Sequence, residues 1–120
     1  MENLFIEYPK CSTCQKAKKW LQDNKIKFED RNIVEDNPTA EELKRWIRLN
    51  GKDIKKWFNT SGLKYRELNL SQKLKDMTDE GKIDILASDG MLVKRPIFIS
   101  DECILIGFKQ EEWEEFFYGE

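Results

Sequence analysis

Leu4-Phe5-Ile6-Glu7-Tyr8-Pro9-Lys10-Cys11-Ser12-Thr13-Cys14-Gln15-Lys16-Ala17 is the stretch whose reading decides the fold. The run from Leu4 to Tyr8 is short, mostly apolar and stopped by Pro9, as a buried central strand would be. Two cysteines spaced Cys-x-x-Cys follow. Apolar residues then recur at Cys14, Ala17 and Leu21, with Trp20 beside them and lysines and Gln22 on the opposite face. That period predicts an amphipathic helix of two to three turns, stopped near Asn24. Ile26-Lys27-Phe28-Glu29 alternates, which predicts a half-exposed edge strand. Strand, helix and strand in this order form a βαβ unit, which favours parallel pairing with a right-handed crossover. Both cysteines then sit at the first strand-to-helix turn.

Outward from this unit, the stretch between Arg31 and Arg95 is too long for a connecting loop, and its pattern is helical. Thr39 and Glu42 form a capping-box pair ahead of Leu43, Trp46 and Ile47, with Asn50-Gly51 as the stop. Further helical pieces are expected near Asp53 to Phe58, Ser71 to Met77 and Thr78 to Ala87, with Asn59-Thr60-Ser61-Gly62 and Ser88-Asp89-Gly90 as turns. Pro96-Ile97-Phe98-Ile99 and Cys103-Ile104-Leu105-Ile106 flank Ser100-Asp101-Glu102, a hairpin signal ended by Gly107. Trp113, Phe116 and Phe117 mark a closing helix. The order β-α-β, helices, β-β-α is the thioredoxin type. The expected fold class is therefore α/β: a thioredoxin-like fold with a mixed four-stranded sheet, one domain over 1–120 with a helical insertion at 36–90.

Composition narrows the chemistry. A chain of 120 residues, 39% hydrophobic and 37% charged, closes one modest core under a charged surface. Its apolar runs are too short to span a bilayer, and no basic-then-apolar leader opens it, so a cytoplasmic protein without membrane association is expected. A net charge of -2 gives no electrostatic case for direct nucleic-acid binding. The charge is unevenly spread: six lysines and one acid lie between Pro9 and Lys27, and five glutamates with no basic residue lie between Glu111 and Glu120. Three cysteines in a reducing compartment are not a disulfide framework, and a Cys-x-x-Cys pair there is catalytic, redox-sensing or half of a zinc site. The chain has no histidine and lacks the remaining zinc ligands, so no metal or other cofactor is expected.

A thiol attacks as its thiolate, and free N–H groups with the dipole at a helix start favour negative charge. Cys11, one position before the helix, is the expected nucleophile, with Lys10 and the helix lysines adding positive field. Cys14, one turn on, is placed to attack a mixed disulfide at Cys11 and release its partner. The alternative is a pair of ordinary core cysteines. Cys103 opens an apolar strand without basic neighbours, so a buried structural role is expected. Arg95, before Pro96, is either a solvated loop cation or, if a thioredoxin-type sheet brings that loop to the cysteines, a holder of an oxyanion or carboxylate.

The segment Tyr8 to Ala17, together with Phe58-Asn59-Thr60-Ser61-Gly62, Tyr65-Arg66-Glu67-Leu68, Leu92-Val93-Lys94-Arg95-Pro96-Ile97 and Ile106-Gly107-Phe108-Lys109, resembles the arsenate reductase-related (ArsC/Spx) family in its glutaredoxin-like branch. The resemblance spans essentially the whole chain. It implies a thioredoxin-like fold, Cys11 as nucleophile, Cys14 as resolving thiol and Arg95 as the anion-binding residue beside a cis Pro96. Lys10, Ser12, Thr13, Pro96 and Lys109 are the implied surroundings of the anion. Single-cysteine reductases of this branch carry Ser at the position of Cys14 and use three arginines; here the other two positions fall near Asn59 and at Lys109. The implied activity is thiol–disulfide oxidoreduction on an oxyanion or disulfide, with thioredoxin, glutaredoxin or a low-molecular-weight thiol as reductant. The alternative is an Spx-type redox-switched regulator that binds the C-terminal domain of the RNA polymerase α subunit.

Overall fold

The computed structural model describes residues 3–119. In chain order its elements are β1 (Leu4–Glu7), α1 (Ser12–Asp23), β2 (Glu29–Asn32), α2 (Ala40–Asn50), α3 (Leu63–Glu67), α4 (Leu70–Lys73), α5 (Asp79–Ser88), β3 (Ile97–Ile99), β4 (Ile104–Ile106) and α6 (Gln110–Tyr118). Two compact units divide them. One joins the segment ending at Asn32 to the segment starting at Arg95; the other is Ile33–Lys94.

The first unit is built on a sheet of order β2-β1-β3-β4. The β1/β2 pair is parallel, as the βαβ reading requires, while β1/β3 and β3/β4 are antiparallel, so the sheet is mixed and the fold thioredoxin-like. The second strand lies later than its alternation suggested, at Glu29–Asn32 and not Ile26 to Glu29. Lys25 turns the chain with φ 56°, and the Ile26 N–H donates to the Leu21 carbonyl at 3.0 Å. Ile26 and Phe28 are then used as side chains against the core, Phe28 edge-on to Phe5 at 5.3 Å, before the ladder begins. Their alternation reports core contact, not strand pairing.

Trp113 of α6 is the hub of this core. It is fully buried and lies edge-on or tilted to Phe5 (6.5 Å), Trp20 (6.2 Å), Phe98 (5.6 Å) and Phe108 (5.1 Å). Its Nε1–H donates to the Gly107 carbonyl at 3.2 Å, which satisfies the one polar atom the ring would otherwise strand. Truncating a buried aromatic of this size costs about 3–5 kcal/mol. The hairpin turn is pinned by Ser100, whose Oγ accepts from the backbone N–H of Cys103 at 3.1 Å. Cys103 itself is half-buried, not enclosed as expected, because it precedes β4 in that turn, where its S–H donates to the Ile104 carbonyl at 3.8 Å.

In the second unit α2 starts on the capping box: Thr39 Oγ1 accepts from Glu42 N–H at 3.1 Å, and Glu42 Oε1 accepts from Thr39 N–H at 3.0 Å. It ends at Gly51, whose φ of 79° is open to glycine at little cost. The piece expected near Asp53 is a short 3-10 turn, Ile54–Trp57, and the Ser71 to Met77 piece is α4 followed by another, Leu74–Asp76. Helix α3 carries no periodic apolar stripe: Tyr65 is buried, but Leu63 is 68% exposed. Helix α5 starts at its Thr78 cap, whose Oγ1 accepts from the Gly81 N–H at 3.1 Å.

Gly90, after α5, has its α-carbon so close to the Ile33 carbonyl that an added Cβ would overlap that oxygen. Gly90→Ala is therefore expected to destabilise the chain by about 1–3 kcal/mol. Urea denaturation monitored by tryptophan fluorescence reads this, and an unchanged midpoint would contradict the close approach.

Candidate active site

Strand register places the site. Because β1 and β3 run antiparallel with Leu4 opposite Ile99 and Ile6 opposite Ile97, the exit of β1 lies beside the entry of β3. The Tyr8–Cys11 turn and the Arg95–Pro96 pair are therefore neighbours, although more than eighty positions separate them in sequence. The Arg95–Pro96 peptide is cis. Arg95 lays its guanidinium over the Tyr8 ring, Cζ 5.2 Å from the centroid, a cation–π contact that holds the charge at this edge.

Cys11 is the N-cap of α1. Its Sγ accepts from the Cys14 backbone N–H at 3.3 Å, in the place where Ser, Thr or Asp commonly caps. Cys11 is half-buried and Cys14 fully buried, and the two are free thiols. Burial and a hydrogen bond to the Cys11 sulfur push the Cys14 thiol up to about 12; the Tyr8 backbone and the Arg95 charge pull it down more weakly. Cys14 therefore keeps its proton and donates it toward the Cys11 sulfur. Ser12 and Thr13 form the exposed start of the helix, Lys10 is exposed on the turn before it, and Pro96 is buried. The geometry brings together Cys11, Cys14 and Arg95, and adds Tyr8.

A second feature went unread in the sequence. Glu7, the last residue of β1, is only 3% exposed. Its Oε1 accepts from Gln15 Nε2 at 2.9 Å and its Oε2 pairs with Lys18 Nζ at 3.1 Å; Lys18 also reaches Asp30 Oδ2 at 2.6 Å. Gln15 Nε2 donates in addition to the Pro9 carbonyl at 3.1 Å, so the buried carboxylate grips both α1 and the turn that carries Cys11. Burial first, and Asp30 second, raise the Glu7 carboxyl above its ordinary range. The available signal was a lone acid inside an apolar strand run, with Gln15 and Lys18 sharing a helix face at i, i+3. Lys18 and Lys19 are bound in ion pairs, Lys19 to Asp23 at 3.0 Å, so the expected field of helix lysines is smaller than their number suggests.

With this geometry in place, comparison with known proteins is informative. The ArsC family pattern matches residues 6–116. The chain belongs to the ArsC family. Among solved structures, a protein related to the ArsC family from Bacteroides fragilis is 58% identical with a TM-score of 0.93, covering 96% of this chain and 97% of its own. A possible arsenate reductase from Streptococcus mutans UA159 is 39% identical with a TM-score of 0.86, covering 94% of this chain and 98% of its own. Among curated proteins, the uncharacterized protein YusI of Bacillus subtilis (strain 168) is 49% identical over 115 residues, 96% of this chain and 98% of YusI. The global transcriptional regulator Spx 1 of Bacillus cereus is 32% identical over 108 residues, 90% of this chain and 81% of that protein.

Within this ArsC-family chain two further expected positions, Lys109 and Asn59, are described by their own surroundings. Lys109 is the exposed N-cap residue of α6, and its side chain makes no hydrogen bond or ion pair among the described residues. Asn59 belongs to the other compact unit, where its N–H donates to the Leu92 carbonyl at 2.8 Å. Among the described residues no helix is long and apolar enough to cross a membrane.

Two measurements test the electrostatics. In a Cys103→Ser background near pH 8, iodoacetamide should label Cys11 well before Cys14, and peptide mass spectrometry showing equal labelling would contradict the asymmetry. For Glu7 the raised carboxyl means that the folded chain holds its proton more tightly than the unfolded one. Its contribution to stability is thus full below its ordinary value of 4.5 and is lost as pH rises through the higher folded value. Stability curves of Glu7→Gln should lack this loss, so as pH rises above 4.5 wild-type stability falls relative to the variant. Parallel curves would show that Glu7 titrates alike in both states.

Proposed function

We propose that the chain is a thiol–disulfide oxidoreductase of arsenate-reductase type, acting on a disulfide or oxyanion substrate. Cys11 thiolate attacks the substrate, and Arg95 orients the anionic group. With a disulfide, a Cys11–substrate bond forms and one substrate thiolate leaves. Cys14 then gives up its proton and attacks Cys11 Sγ, the second substrate thiolate departs, and the two electrons come from the Cys11 and Cys14 thiols, which are oxidised to the Cys11–Cys14 disulfide. With arsenate, Cys11 displaces water from the protonated oxyanion, and attack by Cys14 releases arsenite with the electron pair. An external dithiol of the thioredoxin or glutaredoxin class, or a low-molecular-weight thiol, restores the pair.

The observation that carries this reading is the convergence on Cys11 Sγ of the Cys14 backbone N–H and the Cys14 thiol, at a helix N-cap. The likeness to a possible arsenate reductase supports the reaction class. A second reading, a redox-switched regulator that binds the polymerase α C-terminal domain, draws on the 32% identity to Spx 1. The same dithiol would then act as the switch.

The test uses hydroxyethyl disulfide and arsenate as probes, with thioredoxin and glutathione as separate reductants. Wild type should turn over at least one probe. Cys11→Ser should lose activity on the order of 10³-fold or more, and Arg95→Ala about 10²-fold on the anionic probe. Cys14→Ser should stall as a mixed disulfide visible by mass spectrometry. If mild oxidation yields no Cys11–Cys14 disulfide, both readings fail. If the disulfide forms without turnover, and pull-down of the α C-terminal domain depends on it, the regulator reading replaces the enzyme.

A further inference from the structure

The Ile33–Lys94 unit carries a hollow of about 120 Å³ lined by Lys55, Tyr65, Ser71, Leu74, Lys75 and Lys82. These residues come from the Ile54–Trp57 turn, α3, α4, the Leu74–Asp76 turn and α5, so separate elements converge on it. Three of the six lining residues are cationic and none is acidic, in a chain with 23 acids against 21 basic residues. Nor does any acid answer these lysines elsewhere: Lys55, Lys75 and Lys82 form no ion pair among the described residues, whereas Lys18, Lys19 and Lys64 do. Like charges gathered around one hollow repel, and a bound anion relieves that repulsion.

The wall of the hollow points the same way. Tyr65 is only 5% exposed, and its hydroxyl has no hydrogen-bond partner among the described residues. The ring is enclosed, but the hydroxyl is not among the buried polar atoms left without a partner, so it reaches solvent and is open to a ligand in the hollow. Ser71 supplies a second hydroxyl and Leu74 an apolar side. Lysines are point-charge donors suited to a tetrahedral dianion, whereas a planar carboxylate is matched better by arginine. A phosphoryl group offers nearly two negative charges and three acceptor oxygens to these ammonium and hydroxyl groups. The space corresponds to about four water molecules, enough for a phosphoryl group with a short carbon stub and too little for a nucleotide.

We propose that the hollow between Lys55, Lys75 and Lys82 binds the phosphoryl group of a small molecule. The site lies wholly in the second unit and uses neither cysteine nor Arg95, so it stands or falls independently of the thiol chemistry.

The experiment is an amide ¹H–¹⁵N titration of the full chain with inorganic phosphate and, separately, with glycerol 3-phosphate. Sodium chloride holds the ionic strength constant. Saturable shifts at Tyr65, Ser71, Leu74, Lys75 and Lys82 are expected. The pair Lys75→Gln with Lys82→Gln should weaken binding at least tenfold without altering the rest of the spectrum, and Tyr65→Phe should weaken it severalfold. Saturation by both probes identifies the oxyanion itself as the ligand; saturation by glycerol 3-phosphate alone identifies an organic phosphate. Shifts that rise linearly without saturation, that fall only on the Tyr8–Cys14 turn, or that persist unchanged in the double variant would overturn the proposal.

Discussion

Antiparallel registration of β3 against β1 is the constraint on which the functional end of the sheet depends. Ile6 opposite Ile97 leaves Tyr8 and Pro96 at adjacent strand ends, and each strand then turns away from the sheet at that same edge. Had β3 run parallel to β1, Arg95 would lie at the opposite end from the thiols. The pairing is maintained by apolar burial on both strands: Phe5, Ile6, Ile97 and Phe98 are fully buried, and Trp113 covers Phe5 and Phe98 together. The position of the half-buried Arg95 thus rests on core packing several residues away.

On that edge, polar groups set the finer geometry. A helix start needs partners for its free N–H groups, and here Cys11 Sγ is one of them. Holding the turn in place falls to Gln15, which bridges Glu7 and the Pro9 carbonyl from within the first turns of α1. Glu7 could not remain ionised in so enclosed a place without Gln15 and Lys18 as donors. Asp30 competes for the same lysine and adds repulsion, which is why burial and Asp30 together lift the Glu7 carboxyl even though Lys18 lies at 3.1 Å. The turn that carries Cys11 is therefore fastened to a group whose charge is itself under strain.

How far the sequence could be read follows from the range of each signal. The helix after Cys11, the Thr39–Glu42 capping box, the Ile97 to Ile106 hairpin and the Trp113 helix rest on spacings of two to four residues, and they stand where those spacings put them. Features that depend on the third dimension were not available. The alternation at Ile26 to Glu29 is real, but a turn at Lys25 spends it on the core and moves the strand on. Cys103 looked like a core residue from its apolar neighbours, yet the Ser100 turn holds it at the hairpin's edge. Tyr8 beneath Arg95 and Glu7 beneath Gln15 are contacts made across the fold, invisible to any local period. The proximity of Arg95 to the cysteines was reachable only by way of the fold class.

The inequality of the two thiols is a direct product of where α1 begins. A two-residue spacing at a helix start places the first sulfur at the cap and the second on the inward face, alongside Ala17 and Leu21. The first therefore meets backbone donors and solvent, and the second meets only the core and its neighbour's sulfur. Electrostatics then separates the two thiols: the buried one holds its proton up to about 12, yet it lies against Cys11. A mixed disulfide at Cys11 removes the negative charge that had helped keep Cys14 protonated, since that sulfur no longer repels a second anion. On the oxidoreductase reading, the event that creates the bond Cys14 must break thus removes one part of what holds its proton, while burial, the larger part, remains.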